Sequence, residues 1–501
     1  MTTPPWGCHR RADSTLPDGF DEIRALLRRG SLPAVLLRGG AGPALVAGDS
    51  VITHDQLRAT VGALAGGLLG RGVQANDRVA IFAERSLEWI LGYLAVLRLG
   101  AIAVPVNPAY TLREVEQILI DAEPSAIICD AARTGLVTQV QPRVPNLAAV
   151  IEIEDLPRAP EPPWPDRGPE DPALIMYTSG TTGQPRGVLL DHGNLLAQAR
   201  GVVEAWRWEP SDRLIHSLPL FHVHGLAMGL TGTLVAGASL ELVNWNPAAV
   251  VAALGAGGTM FFAVPAMYQR LCAYLESEPA DLSAVRLFVS GSAPLPPSLF
   301  GRCVELLGQA PLERYGLTEA GIVISNPYDG PRQPGRVGHP LPGVEVRLAE
   351  NGEVQVRGGQ VFSSYWRPRA DAAVRVVEGW LGTQDLGEID ESGSLAIHGR
   401  LRDLIISGGF NVHPREVEVV LEEHPGVREV AVAGVRSERW GEAVTAYVVA
   451  EGAVETTDLM VHCRERLAPY KCPQQIRFVA AIPRNAMGKV MREKLGDAAL
   501  A

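Results

Sequence analysis

Tyr177-Thr178-Ser179-Gly180-Thr181-Thr182-Gly183-Gln184-Pro185-Arg186-Gly187-Val188 follows directly on the apolar run Ala173-Leu174-Ile175-Met176. A run of this kind reads as a buried strand, and it stops abruptly in glycines interleaved with small hydroxyl residues. Glycine accepts positive φ and lets backbone come close to an anion, so successive N–H groups can converge on a phosphate. Ser179, Thr181 and Thr182 add hydroxyl donors, and Arg186 adds a fixed positive charge. The usual nucleotide P-loop carries a Lys-Ser or Lys-Thr pair after its last glycine, and this stretch has neither. The pattern predicts a phosphate-handling loop of another type, against the plainer reading of a glycine-rich turn between two strands.

Upstream of the loop, strand and helix patterns alternate. Val51-Ile52 is a short strand, and Thr53-His54-Asp55-Gln56 has the Thr-x-x-Gln form of a capping box that opens a helix. Val79 to Phe82 and Ala101 to Val104 are apolar strands, separated by a helix with Trp89, Tyr93 and Leu97 on one face. Strand, helix, strand with short apolar strands predicts a mostly parallel sheet covered by helices. Pro157 to Pro172, rich in Pro, Asp and Glu, reads as an exposed connector. Near the C-terminus, Val430 to Val435 and Ala446 to Val449 flank a helix over Pro414 to Glu423, which predicts a small separate α+β unit. Its boundary falls in the polar, glycine-rich segment Gly399 to Gly409. The expected organisation is an N-terminal domain over 1–398, a hinge over 399–403 and a mobile C-terminal domain over 404–501.

The chain has 501 residues, too many for one ordinary core, with 47% hydrophobic and 20% charged residues as in a soluble globular protein. A net charge of −11 argues against a general nucleic-acid binder. Six scattered cysteines form no C-x-x-C pair, which disfavours a zinc site and suits a reducing cytoplasm. Trp89 to Val106, the most apolar region, is broken by Arg98 and two glycines and reads as a buried helix and strand, with no membrane span. No secretory signal is visible at the N-terminus.

Five further segments carry chemistry. Tyr315-Gly316-Leu317-Thr318-Glu319 offers an aromatic face for a purine and a carboxylate for Mg²⁺. Ser290-Gly291-Ser292-Ala293-Pro294 is a strand-to-loop transition suited to ligand contact. Gly379 to Gly387 contains Asp385, able to accept from both hydroxyls of a ribose, and Gly399 to Val412 contains Arg400, Arg402, Gly408 and Gly409. A fifth, Pro483 to Val490, presents Lys489 after a tight turn. His222 and His224 alternate as on a strand, but no third ligand accompanies them, which disfavours a metal site.

In this order, across residues 50 to 490, the segments resemble those of the adenylate-forming enzymes: acyl-CoA synthetases, peptide-synthetase adenylation domains and luciferases. The resemblance implies an α/β fold with a large N-terminal region of mixed sheets covered by helices and a small mobile C-terminal domain. It implies that Thr178 to Gly183 and Arg186 hold the phosphates of ATP, and that Ser292, Ala293, Pro294, Tyr315, Gly316 and Thr318 line the nucleotide site. Asp385 and Arg400 would take the ribose or phosphate, and Glu319 with Thr181 the magnesium. Lys489 would be the catalytic lysine beside Thr318, Glu319 and His222, Arg402 the hinge, and Gly408, Gly409 and Lys471 contacts for coenzyme A. Lys471 reads equally as ordinary surface charge. Two positions depart from the family pattern: Arg186 stands where lysine is usual, and Gln384 where glycine is usual.

Val264 to Arg270, Arg314-Tyr315-Gly316, Ser325 to Gly330 and Val337 to Gly343 are similar to the malonyl-CoA synthetases. That resemblance implies malonate, or methylmalonate, as the acid, with Arg270 and Arg314 clamping the carboxylate that does not react, and Ser290 and His222 beside it. The apolar run Ala320 to Val323 leaves open a monocarboxylate pocket, hence a short-, medium- or long-chain fatty acyl-CoA synthetase. A nucleotide-binding protein without catalysis is the remaining reading, and Lys489 speaks against it.

Overall fold

The computed structural model describes residues 31–179, 185–368, 376–407, 410–437, 439–485 and 489–498. Their strands form four sheets, of nine, seven, five and five strands. In the seven-stranded sheet Arg78–Phe82 lies between Ile102–Pro105 and Ala126–Cys129, all parallel, as the alternation of strands and helices predicts. The helix His54–Gly70 opens with the expected capping box, in which the Thr53 side chain and Gln56 satisfy each other's backbone N–H groups. The strands Arg213–His216, Met260–Ala263, Leu287–Ser290 and Leu312–Leu317 run parallel through the nine-stranded sheet, so their C-terminal ends open on one side.

The Pro157–Pro172 segment is an exposed connector, as expected, and it is docked as well. Its side chains face solvent for the most part, but its backbone is strapped onto the helix His54–Gly70, where Ala159 N–H donates to the Ala63 carbonyl at 3.0 Å. Side chains at Gly66 and Gly67 would overlap the carbonyls of Pro160 and Pro157. Arg98, 1% exposed, ties the strap from below by donating to Glu161 and to the carbonyls of Pro162 and Pro163, with its guanidinium over Trp164. The arginine that interrupts the apolar helix is thus the anchor of the segment that follows.

One large core joins the nine- and seven-stranded sheets, with a second cluster on the other face of the seven-stranded sheet. The residues after Leu404 build two small clusters of their own around the antiparallel pair Val427–Ser437 and Gly441–Ala450. The helix predicted over Pro414 to Glu423 spans Pro414–Glu422 and packs on that pair. Between the two parts, Leu401–Asp403 is a single 3₁₀ turn.

Candidate active site

The loop from Gly180 to Gln184 joins the antiparallel strands Pro172–Ser179 and Pro185–Asp191, the position that the strand-to-strand reading gives it. Gly180, Thr181, Thr182 and Gly183 lie outside the described residues, as do Gly408 and Gly409. The register sets Thr178 opposite Arg186 and Ser179 opposite Pro185. Arg186 is buried, within hydrogen-bonding reach of the Tyr365 phenol. Tyr365 in turn donates to Glu319 Oε1 at 3.0 Å.

Tyr315 and Gly316 end the strand Leu312–Leu317, and Thr318 and Glu319 form the turn into Gly321–Ser325. Gly316 is required there, since a side chain would overlap the Gly321 carbonyl. Burial raises the Glu319 carboxyl above its ordinary range, opposed by the Tyr365 hydrogen bond and the charge of Arg400. An oxygen donor held rigidly by one phenol, in need of positive charge, suits a hard divalent cation such as Mg²⁺.

The Tyr315 hydroxyl donates to Asp385 Oδ2 at 2.6 Å, and Arg400 Nε lies 3.3 Å from Asp385 Oδ1. The proposed adenine platform and the proposed ribose carboxylate are therefore one bonded unit, a link that no sequence pattern announces. Lys489, half-buried on the small domain, faces the same unit. Burial and the charge of Arg400 bring its amine down to about 8, against the opposing pull of Asp385. Its backbone N–H donates to Asn485 Oδ1 at 3.0 Å.

A second group lies on the opposite side of the strand Leu312–Leu317, as period-two alternation requires. Arg314 is 5% exposed, Nε and Nη2 have no hydrogen-bond partner, and no acid among the described residues pairs with it. Its guanidinium packs against Gly291, where any side chain would overlap it. Burial brings Arg314 down to about 9, so it remains a cation at neutral pH. Nearby, Ser290 is fully buried with its hydroxyl unpartnered, and Ser292, in the left-handed region at φ +70°, meets His224 Nδ1 at 3.2 Å. Ala293 is half-buried and Pro294 exposed on the same loop. His224 is held neutral by burial and by Arg314, and its Nε2 is without a partner.

His222 and His224 are not on a strand. They enter the π-helical turn His224–Leu230, where side chains at Gly225 and Gly229 would overlap the Pro219 carbonyl and crowd His216. His222 is half-buried against Phe221 and brought down to about 4 by burial, so it is a neutral imidazole. Among the described residues no cluster of metal-ligating side chains includes it.

Arg270 departs from the expected clamp. The helix Pro265–Ser277 buries Met267 and Leu271, as expected, but leaves Arg270 exposed with its guanidinium 5.6 Å from the Trp245 ring. A solvated guanidinium gives up little to bind a carboxylate and lacks the low-dielectric setting that makes such a contact strong. Lys471 is paired with Glu416 beside Tyr470, and Arg402 is exposed, 3.5 Å from Asp403. Two residues in the site escaped sequence reading: Tyr365, which holds Glu319 from 46 positions away, and His224, which had been weighed only as a metal ligand.

The family model for AMP-binding enzymes matches residues 37–366, and that for the AMP-binding enzyme C-terminal domain matches 416–489. The chain belongs to the AMP-binding enzyme family. It is 34% identical to a malonate–CoA ligase of Arabidopsis thaliana, over 85% of this chain and 78% of that protein. It is also 34% identical to a feruloyl-CoA synthase of Amycolatopsis, over 89% and 93%. The crystal structure of ATP-bound MatB from Rhodopseudomonas palustris superposes with a TM-score of 0.85 at 36% identity, covering 93% of this chain and 99% of that one. The fold is the mixed α/β architecture of these enzymes, with the smaller C-terminal unit. Relatives acting on different acids stand at the same identity, so overall likeness leaves the acid to be argued from the pocket.

Proposed function

We propose that this enzyme, an ATP-dependent acyl-CoA ligase, activates malonate. The acid carboxylate joins the α-phosphorus with loss of pyrophosphate, and the thiol of coenzyme A then displaces AMP from the adenylate. Arg314 carries the reading: it is a buried cation with unpartnered donors, and a second carboxylate is the ligand that satisfies it. A fatty or aromatic monocarboxylate would leave that charge buried and unpaired. Ser290 and His224 supply further polar atoms at the same place. Arg270 is not part of the clamp in this reading.

Tyr315 supports the adenine and Asp385 accepts from the ribose, with Arg400 steadying the carboxylate. Lys489 stabilises charge on the α-phosphoryl oxygens during the first half-reaction. Thr178, Arg186 and the intervening loop take the phosphates, and Thr318 contributes its hydroxyl. Glu319 and Thr181 would hold Mg²⁺, whose charge would offset that of the phosphates and favour the ionised form of Glu319. His222 is a neutral gate between acid and thiol. Rotation of the small domain about Arg402 withdraws Lys489 and opens the thiol path, where Gly408, Gly409 and Lys471 meet coenzyme A, Lys471 after releasing Glu416. Among the described residues no helix is long and apolar enough to cross a membrane, and a cytoplasmic site of action is part of this proposal.

The test is pyrophosphate release over malonate, methylmalonate, butyrate and longer monocarboxylates, with and without coenzyme A. Malonate preference with thioester product supports the reading, and a wild-type preference for butyrate overturns it.

A further inference from the structure

Asp385 sits one position after Gln384, where the backbone takes φ +61°, a left-handed conformation that a side chain disfavours. Glycine would adopt it freely, yet this chain places glutamine there. What holds it is Glu353, on the strand Glu353–Gly358 beside the strand Trp380–Ile389. Its Oε1 accepts from the Gln384 backbone N–H at 2.9 Å and from the Gln384 side-chain Nε2 at 3.2 Å. The carboxylate reaches this point by lying on Gly382, where a Cβ would come within 2.8 Å of Oε1. Glu353 is 9% exposed, and among the described residues no cation pairs with it. The ladder between these strands breaks its register here, between Glu353 and Gln355, so regular pairing does not fix residue 384. Directly beyond the strained residue, Asp385 N–H donates to Thr383 Oγ1 at 3.1 Å, and its carboxylate reaches Tyr315 and Arg400.

We infer that Glu353 is a positioning residue for nucleotide binding: its buried carboxylate clamps Gln384 in the left-handed conformation and so aims Asp385 at the ribose. The inference rests on the proposed ribose role of Asp385. In the absence of the clamp, Gln384 relaxes toward negative φ and turns Asp385 away from Tyr315. Gln384 thus has a double part, as the residue that creates the strain and as the donor that recruits its remedy.

The experiment measures KM for ATP, KM for the acid, kcat and Tm in Glu353→Ala, Glu353→Gln, Glu353→Ala/Gln384→Gly and Asp385→Ala. In Glu353→Ala, KM for ATP rises about tenfold, the population shift to which a left-handed side chain's cost converts, while KM for the acid stays within about twofold. Glu353→Gln keeps an acceptor oxygen and nearly the same volume, and retains a KM for ATP within about threefold of wild type. In the double variant glycine needs no clamp, and KM for ATP returns toward the wild-type value. A KM for ATP unchanged in Glu353→Ala, a double variant as impaired as the single one, or equal rises in both KM values overturns the inference. Should Glu353→Ala fail to fold, Glu353→Gln and the double variant decide it by the same criteria. A KM for ATP unmoved in Asp385→Ala overturns the ribose assignment itself, whereas a large rise there with no effect at Glu353 removes only the clamp.

Discussion

In the proposed function two cations meet the reacting acid and nucleotide, and the fold holds them in opposite ways. Arg314 belongs to a strand paired on both edges in the middle of the large core, so its position is fixed before any ligand arrives. Lys489 belongs to the small domain, and its side chain enters the site only because that domain is docked. Both have depressed pKa values, with different consequences. Arg314, at about 9, is charged throughout the physiological range; Lys489, at about 8, is close to losing its proton. The chain reinforces the contrast: its only lysines are Lys471, Lys489 and Lys494, all in the small domain. The proposal thus gives recognition of the acid to a preorganised group, and assistance to phosphoryl chemistry to a removable one. A clamp has to be rigid to discriminate, while a group needed in only one half-reaction is better placed where it can leave.

The sharpest break in this comparison is Arg314→Met. The variant loses about 3–5 kcal/mol for malonate in kcat/KM, because the second carboxylate is then buried without its partner. Butyrate never used the clamp and declines little. The unliganded variant also has a higher Tm than wild type, since an unpaired buried cation has been replaced by an apolar side chain of similar length. Parallel losses for both acids, or a lower Tm, remove Arg314 from its role.

Lys489→Ala follows closely in size. Adenylate formation falls by about 10² to 10³, as for other groups that stabilise transition-state charge, and thioester formation from a pre-made adenylate is nearly intact. Equal losses in the two halves contradict the division of labour. The pH profile sharpens the point. A lysine lowered to about 8 is cationic below that pH and neutral above it, so kcat/KM for ATP in adenylation falls as pH rises through about 8. Lys489→Arg, which does not titrate there, lacks that limb. Proline at 402 affects the other half: Arg402→Pro stiffens the 3₁₀ turn, leaving pyrophosphate release and slowing thioester formation, and equal retention of both moves the pivot elsewhere.

A smaller effect reads the join between the two regions. Glu313, 3% exposed on the same strand as Arg314, accepts from the Leu295 N–H at 3.0 Å and is raised by burial to about 7, opposed by the charge of Arg415 on the small domain. A carboxyl raised from 4.5 to about 7 contributes fully below its unfolded pKa, and that contribution is lost as pH rises to 7. Glu313→Gln keeps the acceptor and never ionises, so its gain in unfolding free energy over wild type grows between pH 4.5 and 7, reaching about 1–3 kcal/mol at pH 8. A gain independent of pH rules out ionisation at Glu313 as its source.

Periodicity made the strands and helices of the large region readable, because Val79 to Phe82 or Leu287 to Val289 are apolar enough to be nothing else. The glycine loop, Tyr315, Asp385 and Lys489 were legible as motifs. Their bonding was not: Tyr315 to Asp385 and Tyr365 to Glu319 join residues 70 and 46 positions apart, and nothing local encodes such pairs. The exposure of the Pro157–Pro172 connector was legible, because proline and acidic composition reports solvent exposure of side chains, but its docking was not, since that runs through backbone against Gly66 and Gly67. His222 and His224 looked strand-like by alternation, but the glycines at 225 and 229 permit a π-helical turn that a two-residue period cannot reveal.

The smallest expected effect belongs to Arg270, and it decides whether the clamp has one arm or two. Sequence spacing put Arg270 on a helix whose neighbours are buried, and such a helix still has an outer face. Met267 and Leu271 occupy the inner one, and Arg270 lies exposed over Trp245. A cation–π contact at an exposed site is worth about 0.5–1 kcal/mol, part of which a methionine side chain replaces by packing on the same ring. Arg270→Met therefore changes stability by less than about 1 kcal/mol and malonate kcat/KM by less than about threefold, with the ratio of malonate to butyrate preserved. Combined with Arg314→Met, its small effect simply adds to that variant's, because groups that share no partner contribute independently. A malonate-specific loss in Arg270→Met comparable to that of Arg314→Met would mean that the helix turns inward when the acid binds. The rigid region would then contain a moving part, and the contrast between fixed clamp and removable lysine would have to be redrawn.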